Sequence, residues 1–206
     1  MFLANFETLE INNQKYTFRY NTEYKTSENA NDTIGLIVML NPGSAKPNDK
    51  KLSKLKPDFT LRKSIEIITL AYAQNEIKTP KEYIIHIENL FNYKEPKSEL
   101  AKDKMKIIFN ELMYRSRELT EDDVKKYNFV IFAWGNIENI QNEKIVNKVN
   151  YYRKLFPNAI EINQIIVKNE IMNVNYPVHM RRICIDFNVN KKIFFNAIKG
   201  KIKENN

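Results

Sequence analysis

The chain has 206 residues, 43% of them hydrophobic, which is enough for one domain with a sizeable core. Its 33 Lys and Arg outweigh 25 Asp and Glu, a net charge of +8 that favours a phosphate-rich partner, although a Lys-, Asn- and Ile-rich chain carries such an excess without any nucleic acid. No run approaches the roughly 18 apolar residues of a membrane span, the opening MFLANFETLEI lacks the basic and apolar regions of a signal peptide, and a lone Cys184 excludes an internal disulfide, so a reducing cytoplasm is the expected setting.

FETLEI and KYTFRY alternate apolar and polar residues on either side of NNQ, which predicts a hairpin over about 5–21 as an N-terminal extension. TIGLIVML (33–40) is a nearly unbroken apolar strand of the kind covered on both faces. The Lys- and Pro-rich stretch 46–58 reads as a basic loop. Leu61, Ile65, Ile68 and Tyr72 fall at helical spacing and predict a helix near 60–75. YIIHIENLF (83–91) is a second buried strand, and Ala101, Met105, Ile108 and Leu112 mark a second helix. FVIFAW (129–134) is a third strand, followed by a helix through Ile145, Val149, Tyr152 and Phe156, a short strand at 159–162 and a closing helix at 189–199. Alternating strands and helices predict an α/β fold of one domain, a three-layer α/β/α sandwich around a largely parallel sheet. Ligands of such sheets bind beyond the carboxyl ends of the strands. Asn41, Asn89 and the Trp134-Gly135-Asn136 run lie at or near three of those ends.

The first strand stops at Asn41-Pro42-Gly43. Read alone, the tripeptide is a β-turn built from favoured turn residues. It also suits a site, because Pro42 holds Asn41 extended while Gly43 lets the backbone turn and approach a ligand. His179 stands in NYPVHMRR beside Arg181 and Arg182, a set suited to an anion or to developing negative charge, or else an ordinary charged loop. His86 lies mid-strand and reads as structural, Asn89 either caps or presents its amide, and Trp134 packs under the site. The chain has no GxxxxGK[ST], GxGxxG or GxSxG motif, and two histidines without a cysteine pair do not make a conventional zinc site. No metal or organic cofactor is expected.

MLNPGSA (39–45), FAWG (132–135) and YPVHM (176–180) come in the order of an uncharacterised bacterial family marked by MLNPSxA, AWG and Pro-x-His, which the chain resembles over most of its length. More distantly, VMLNPG is similar to the GINPG form of the water-positioning motif in the uracil-DNA glycosylase superfamily. HMRR (179–182) takes the place of that superfamily's late HPSPLS or NPSGLS loop but lacks its proline and serines. The resemblance implies a glycosylase that hydrolyses the N-glycosidic bond of uracil in DNA without a cofactor. Asn41 would orient the water and His179 would donate to the uracil O2. Leu40, Pro42 and Gly43 would line the base, with Asn89 reading its edge and Phe59 stacking on it. Lys46, Met180, Arg181 and Arg182 would contact DNA. Gly43 stands where other members carry a tyrosine that excludes thymine, so the resemblance implies looser exclusion. The competing readings are a DNA-binding protein that has lost the chemistry and a hydrolase of free nucleotides.

Overall fold

Two asparagines make the N-terminal hairpin possible, because a two-residue turn between twisted strands needs positive φ at both central positions. Asn12 and Asn13 supply φ of 51° and 60°. They join β1 (Phe2–Ile11) to β2 (Gln14–Lys25). In β2 Asn21, at φ 48°, introduces a bulge where the register steps from Leu3–Glu23 to Asn5–Tyr20. The computed structural model describes residues 1–48, 54–78, 80–106, 108, 110–167, 170–185 and 187–202. Lys50 and Lys51 of the basic loop lie outside them.

After the hairpin come β3 (Thr33–Met39), the short pair β4 (Lys46–Pro47) and β5 (Leu55–Lys56), α1 (Phe59–Gln74) and β6 (Ile84–Asn89). They are followed by α2 (Ser98–Met105), a 3-10 turn (Glu111–Met113), α3 (Glu121–Lys126), β7 (Phe129–Ala133) and α4 (Glu143–Leu155). β8 (Ile160–Glu161), the hairpin β9 (Gln164–Val167) and β10 (Glu170–Asn173), α5 (Met180–Ile185) and α6 (Phe187–Ile198) complete the chain.

The six-stranded sheet runs β1-β2-β6-β3-β7-β8, with β6, β3, β7 and β8 parallel and the N-terminal hairpin antiparallel at one edge. The fold is α/β with a mostly parallel sheet flanked by helices on both faces. Ile37 and Met39 of β3 pack with α1, α5 and α6 on one face, while Leu36 and Val38 pack with α2 and α4 on the other. That two-sided burial explains why β3 is apolar throughout. Among the described residues no helix is long and apolar enough to cross a membrane.

The second predicted helix is shorter than its spacing implied. It ends at Met105, and Ile108 and Leu112 reach the core from the segment beyond, where the Asn110 side chain accepts from Leu112 N at 2.8 Å and starts the 3-10 turn. The side-chain cap competes with continued helix. The segment after His179, expected as loop, begins α5. Met180, Ile183 and Cys184 are buried on it, so it follows a helical pattern too short to register as periodicity.

Gly35 is fixed by packing. A Cβ there would lie 2.0 Å from the Cζ of Phe129, whose ring lies over it from the neighbouring strand. Gly35→Ala is expected to cost about 1–3 kcal/mol in urea unfolding. Adding Phe129→Leu should recover part of that loss, and an undiminished loss in the double variant would show that the ring is not the cause.

Candidate functional site

The chain leaves β3 for α1 on one face and β7 for α4 on the other. A crevice therefore opens between the carboxyl ends of these neighbouring strands, where open α/β sheets place their ligands. It is a cavity of about 440 Å³. Leu40, Asn41, Gly43, His179, Arg181 and Arg182, all singled out in the sequence, line it together. They come from two segments more than 130 residues apart in the chain, the turn after β3 and the start of α5 with the residue before it.

Asn41 is held by both sides of the site. β3 and β6 stay paired beyond their ends through Leu90 N to Met39 O at 2.9 Å and Phe91 N to Leu40 O at 3.1 Å. The Asn41 Nδ2 donates to Glu95 O at 2.7 Å, and its Oδ1 has no partner among the described residues. The amide is thus anchored by its donor end and keeps an acceptor for a ligand or water.

The His179 loop is tied to the strand ends by main-chain bonds from Gly135 N to Pro177 O at 2.9 Å and from Val178 N to Ile162 O at 2.8 Å. Gly135 has φ +77°, and a Cβ on it would lie 3.2 Å from the His179 Cβ. Glycine is therefore what lets the end of β7 approach the histidine. The His179 Nδ1 accepts from Arg181 N at 3.1 Å, which puts the proton of the neutral ring on Nε2. Desolvation, aided by the Arg181 charge, lowers its pKa to about 4, so the imidazole is neutral at pH 7.

Among the polar groups of the cavity that the sequence does not single out, Asp58 and Arg19 matter most. Asp58 caps α1, accepting from Leu61 N at 3.0 Å through Oδ1 and from Ser44 N at 3.2 Å through Oδ2. A Cβ on Gly43 would come within 2.8 Å of that Oδ2, so glycine makes room for the carboxylate. A Pro-Asp pair ahead of an apolar period is a helix-start signal, and that was the clue available. Arg19 reaches the cavity from β2 and is 1% exposed. Nothing in the alternation of KYTFRY marks it as different from a surface arginine.

The remaining predicted residues sit elsewhere. Pro42 is buried behind the turn and is not in the cavity wall. Phe59, the first residue of α1, is 47% exposed and does not face the cavity. Asn89 is buried at the end of β6, and neither polar atom of its amide has a partner among the described residues. Lys46 is exposed on β4. Met180 is corrected: it is fully buried and packs α5 onto the core, so it cannot touch DNA. Trp134, by contrast, lines the cavity and stacks on Phe132 at 4.5 Å. His86 bonds the Tyr127 hydroxyl at 2.9 Å, and burial lowers its pKa to about 3.

Both histidines are neutral in the fold and take up protons on unfolding at pH values between their folded pKa values and about 6.5. Stability is therefore full above pH 6.5 and is lost as pH falls towards 4 and 3. A melting temperature that declines over this window, with a shallower decline in His86→Gln, is the expected result. A pH-independent melting temperature would contradict it.

Comparison with family models, with curated proteins and with solved structures gives no match for this chain.

Proposed function

We propose that the protein hydrolyses the N-glycosidic bond of uracil in DNA, with Asn41 positioning the water. The observation that carries this reading is the pairing of Asn41 and His179 across one cavity. One offers an amide oxygen from an anchored side chain, and the other a neutral imidazole with its proton on Nε2. Cleavage needs a water held under the sugar and a donor at the departing base, which leaves with negative charge. A neutral imidazole with its proton on Nε2 has a donor to offer that oxygen. The Asp58 carboxylate in the same wall favours the positive character that the sugar acquires. A cavity of about 440 Å³ is of the size that holds a small ligand, so it suits an extruded nucleotide. Exposed Lys46, Arg181 and Arg182 and the net charge of +8 suit the strand that carries it.

The test is base release from end-labelled single- and double-stranded oligonucleotides with one uracil, the abasic sites being cleaved with alkali. Uracil-dependent cutting is expected. Salt-sensitive DNA binding without cutting would replace this reading with that of a binding protein.

A further inference from the structure

We infer that Arg19 forms a phosphate-binding subsite on the floor of this cavity. The inference rests on the reading that the cavity takes a nucleotide. Arg19 is 1% exposed, lines the cavity, and among the described residues has no hydrogen-bond partner for its Nε or Nη1. A buried guanidinium with unmade bonds costs free energy that a fold recovers when a ligand brings the acceptors. The negative charge nearest in effect is Asp58, which favours the charged form of Arg19 while its oxygens accept from Ser44 N and Leu61 N.

The neighbourhood is consistent with an oxyanion. Arg19 alternates with Phe18, whose ring belongs to the α2 and α4 face, so Arg19 points to the α1 face. Asn89, by its alternation with Ile85 and Ile87, points to that same face from the adjacent strand β6, and its amide is also without partners among the described residues. Around the cavity Arg19, Lys102, Arg181 and Arg182 face two carboxylates, Asp58 and Glu99. With His179 neutral, these residues carry a net of two positive charges, which suits an anion, either a phosphate monoester of about −1.5 to −2 or a diester of about −1, better than a neutral ligand. The planar guanidinium can engage two phosphoryl oxygens at once. The phosphate belongs either to a free nucleotide or to the DNA strand at the extruded base.

Trp134, the only tryptophan, lines the cavity and reports its occupancy by fluorescence. The titrants are inorganic phosphate, deoxyuridine, deoxyuridine monophosphate and a uracil-centred trinucleotide without terminal phosphates, all at constant ionic strength set with chloride. The expected result is at least tenfold tighter binding of the monophosphate or the trinucleotide than of deoxyuridine. The monophosphate alone gaining would assign the subsite to free nucleotides, and the trinucleotide gaining would assign it to the strand. Arg19→Met should remove the advantage and Arg19→Lys should keep part of it. The free Arg19→Met protein should melt no lower than the parent, because it loses an unpaired buried charge, whereas a purely structural arginine would leave it less stable. Equal binding of deoxyuridine, the monophosphate and the trinucleotide, no binding of any of the four titrants, or an advantage that survives in Arg19→Met would overturn the inference. If Arg19→Met does not fold, the parent and Arg19→Lys titrations decide. Binding is read rather than base release, so a chain with this subsite but no glycosylase activity is recognised as such.

Discussion

His179→Ala is expected to slow uracil release by on the order of 10²–10³-fold, the usual loss when one donor to a developing oxyanion is removed. Asn41→Ala should cost a comparable factor, because the water loses its acceptor and the loop loses the 2.7 Å bond to Glu95 O. Single-turnover rates on a uracil oligonucleotide measure both. The pH dependence separates the histidine's role from a merely structural one. With its pKa lowered to about 4, the imidazole stays neutral from pH 8 to about 5, so its contribution to the rate should be flat there and change only as pH falls through 4. A rate that climbs as pH drops from 7 to 5 would show that the imidazolium, not the neutral ring, meets the leaving base. A His179→Ala protein as active as the parent would remove this residue from the chemistry altogether.

Arg117→Met is expected to be the most destabilising single change on the opposite face, by about 3 kcal/mol or somewhat more. Glu88 is 1% exposed in the middle of the sheet, and the Arg117 Nε stands 3.4 Å from its Oε1. Burial raises the Glu88 pKa, and the charges of Arg117 and then Lys148 oppose that rise. Lys148 is half-buried, spends its ammonium on Asn89 O at 2.6 Å and Tyr114 O at 3.2 Å, and has its pKa lowered by desolvation to about 8. Removing the arginine therefore leaves the buried Glu88 with Lys148 as the charge that opposes its desolvation. Urea unfolding of Arg117→Met, Glu88→Gln and the double variant checks this. The double variant should recover most of the loss, and Arg117→Met should lose least at low pH, where Glu88 is protonated. Equal losses in single and double variants would mean that the packing of the arginine stem, not its charge, is what counts.

This network also bears on the site. Lys148 holds the main chain of Asn89 at the end of β6, beside the strand that delivers Asn41. Its ammonium thereby ties α4 to the rim of the cavity. The ion pair and the cavity lie near the same end of the sheet, and a loss of rigidity in one is expected to reach the other.

The sequence by itself determined the alternation of elements and the end of the sheet at which polar groups gather. Periodicity is a local property: Leu61, Ile65, Ile68 and Tyr72 repeat at the helical spacing because one side of α1 must be buried, and β3 is apolar throughout because both of its faces are covered. Asn41 was legible because Pro and Gly mark a turn at the end of an α/β strand, and His179 because it stands between a proline and two arginines in one loop. The tertiary structure alone decided that Arg19 leaves the surface. A hairpin residue becomes buried only when the sheet adds β2 beside β6 and brings Arg19 into the cavity wall with Asp58, and nothing within a few residues of Arg19 encodes those neighbours. It likewise decided that Met180 faces the core while Arg181 and Arg182 face the cavity, since a six-residue helix takes its orientation from what it packs against. Local patterns specify which faces want burial; which charge is then stranded inside depends on contacts between distant segments.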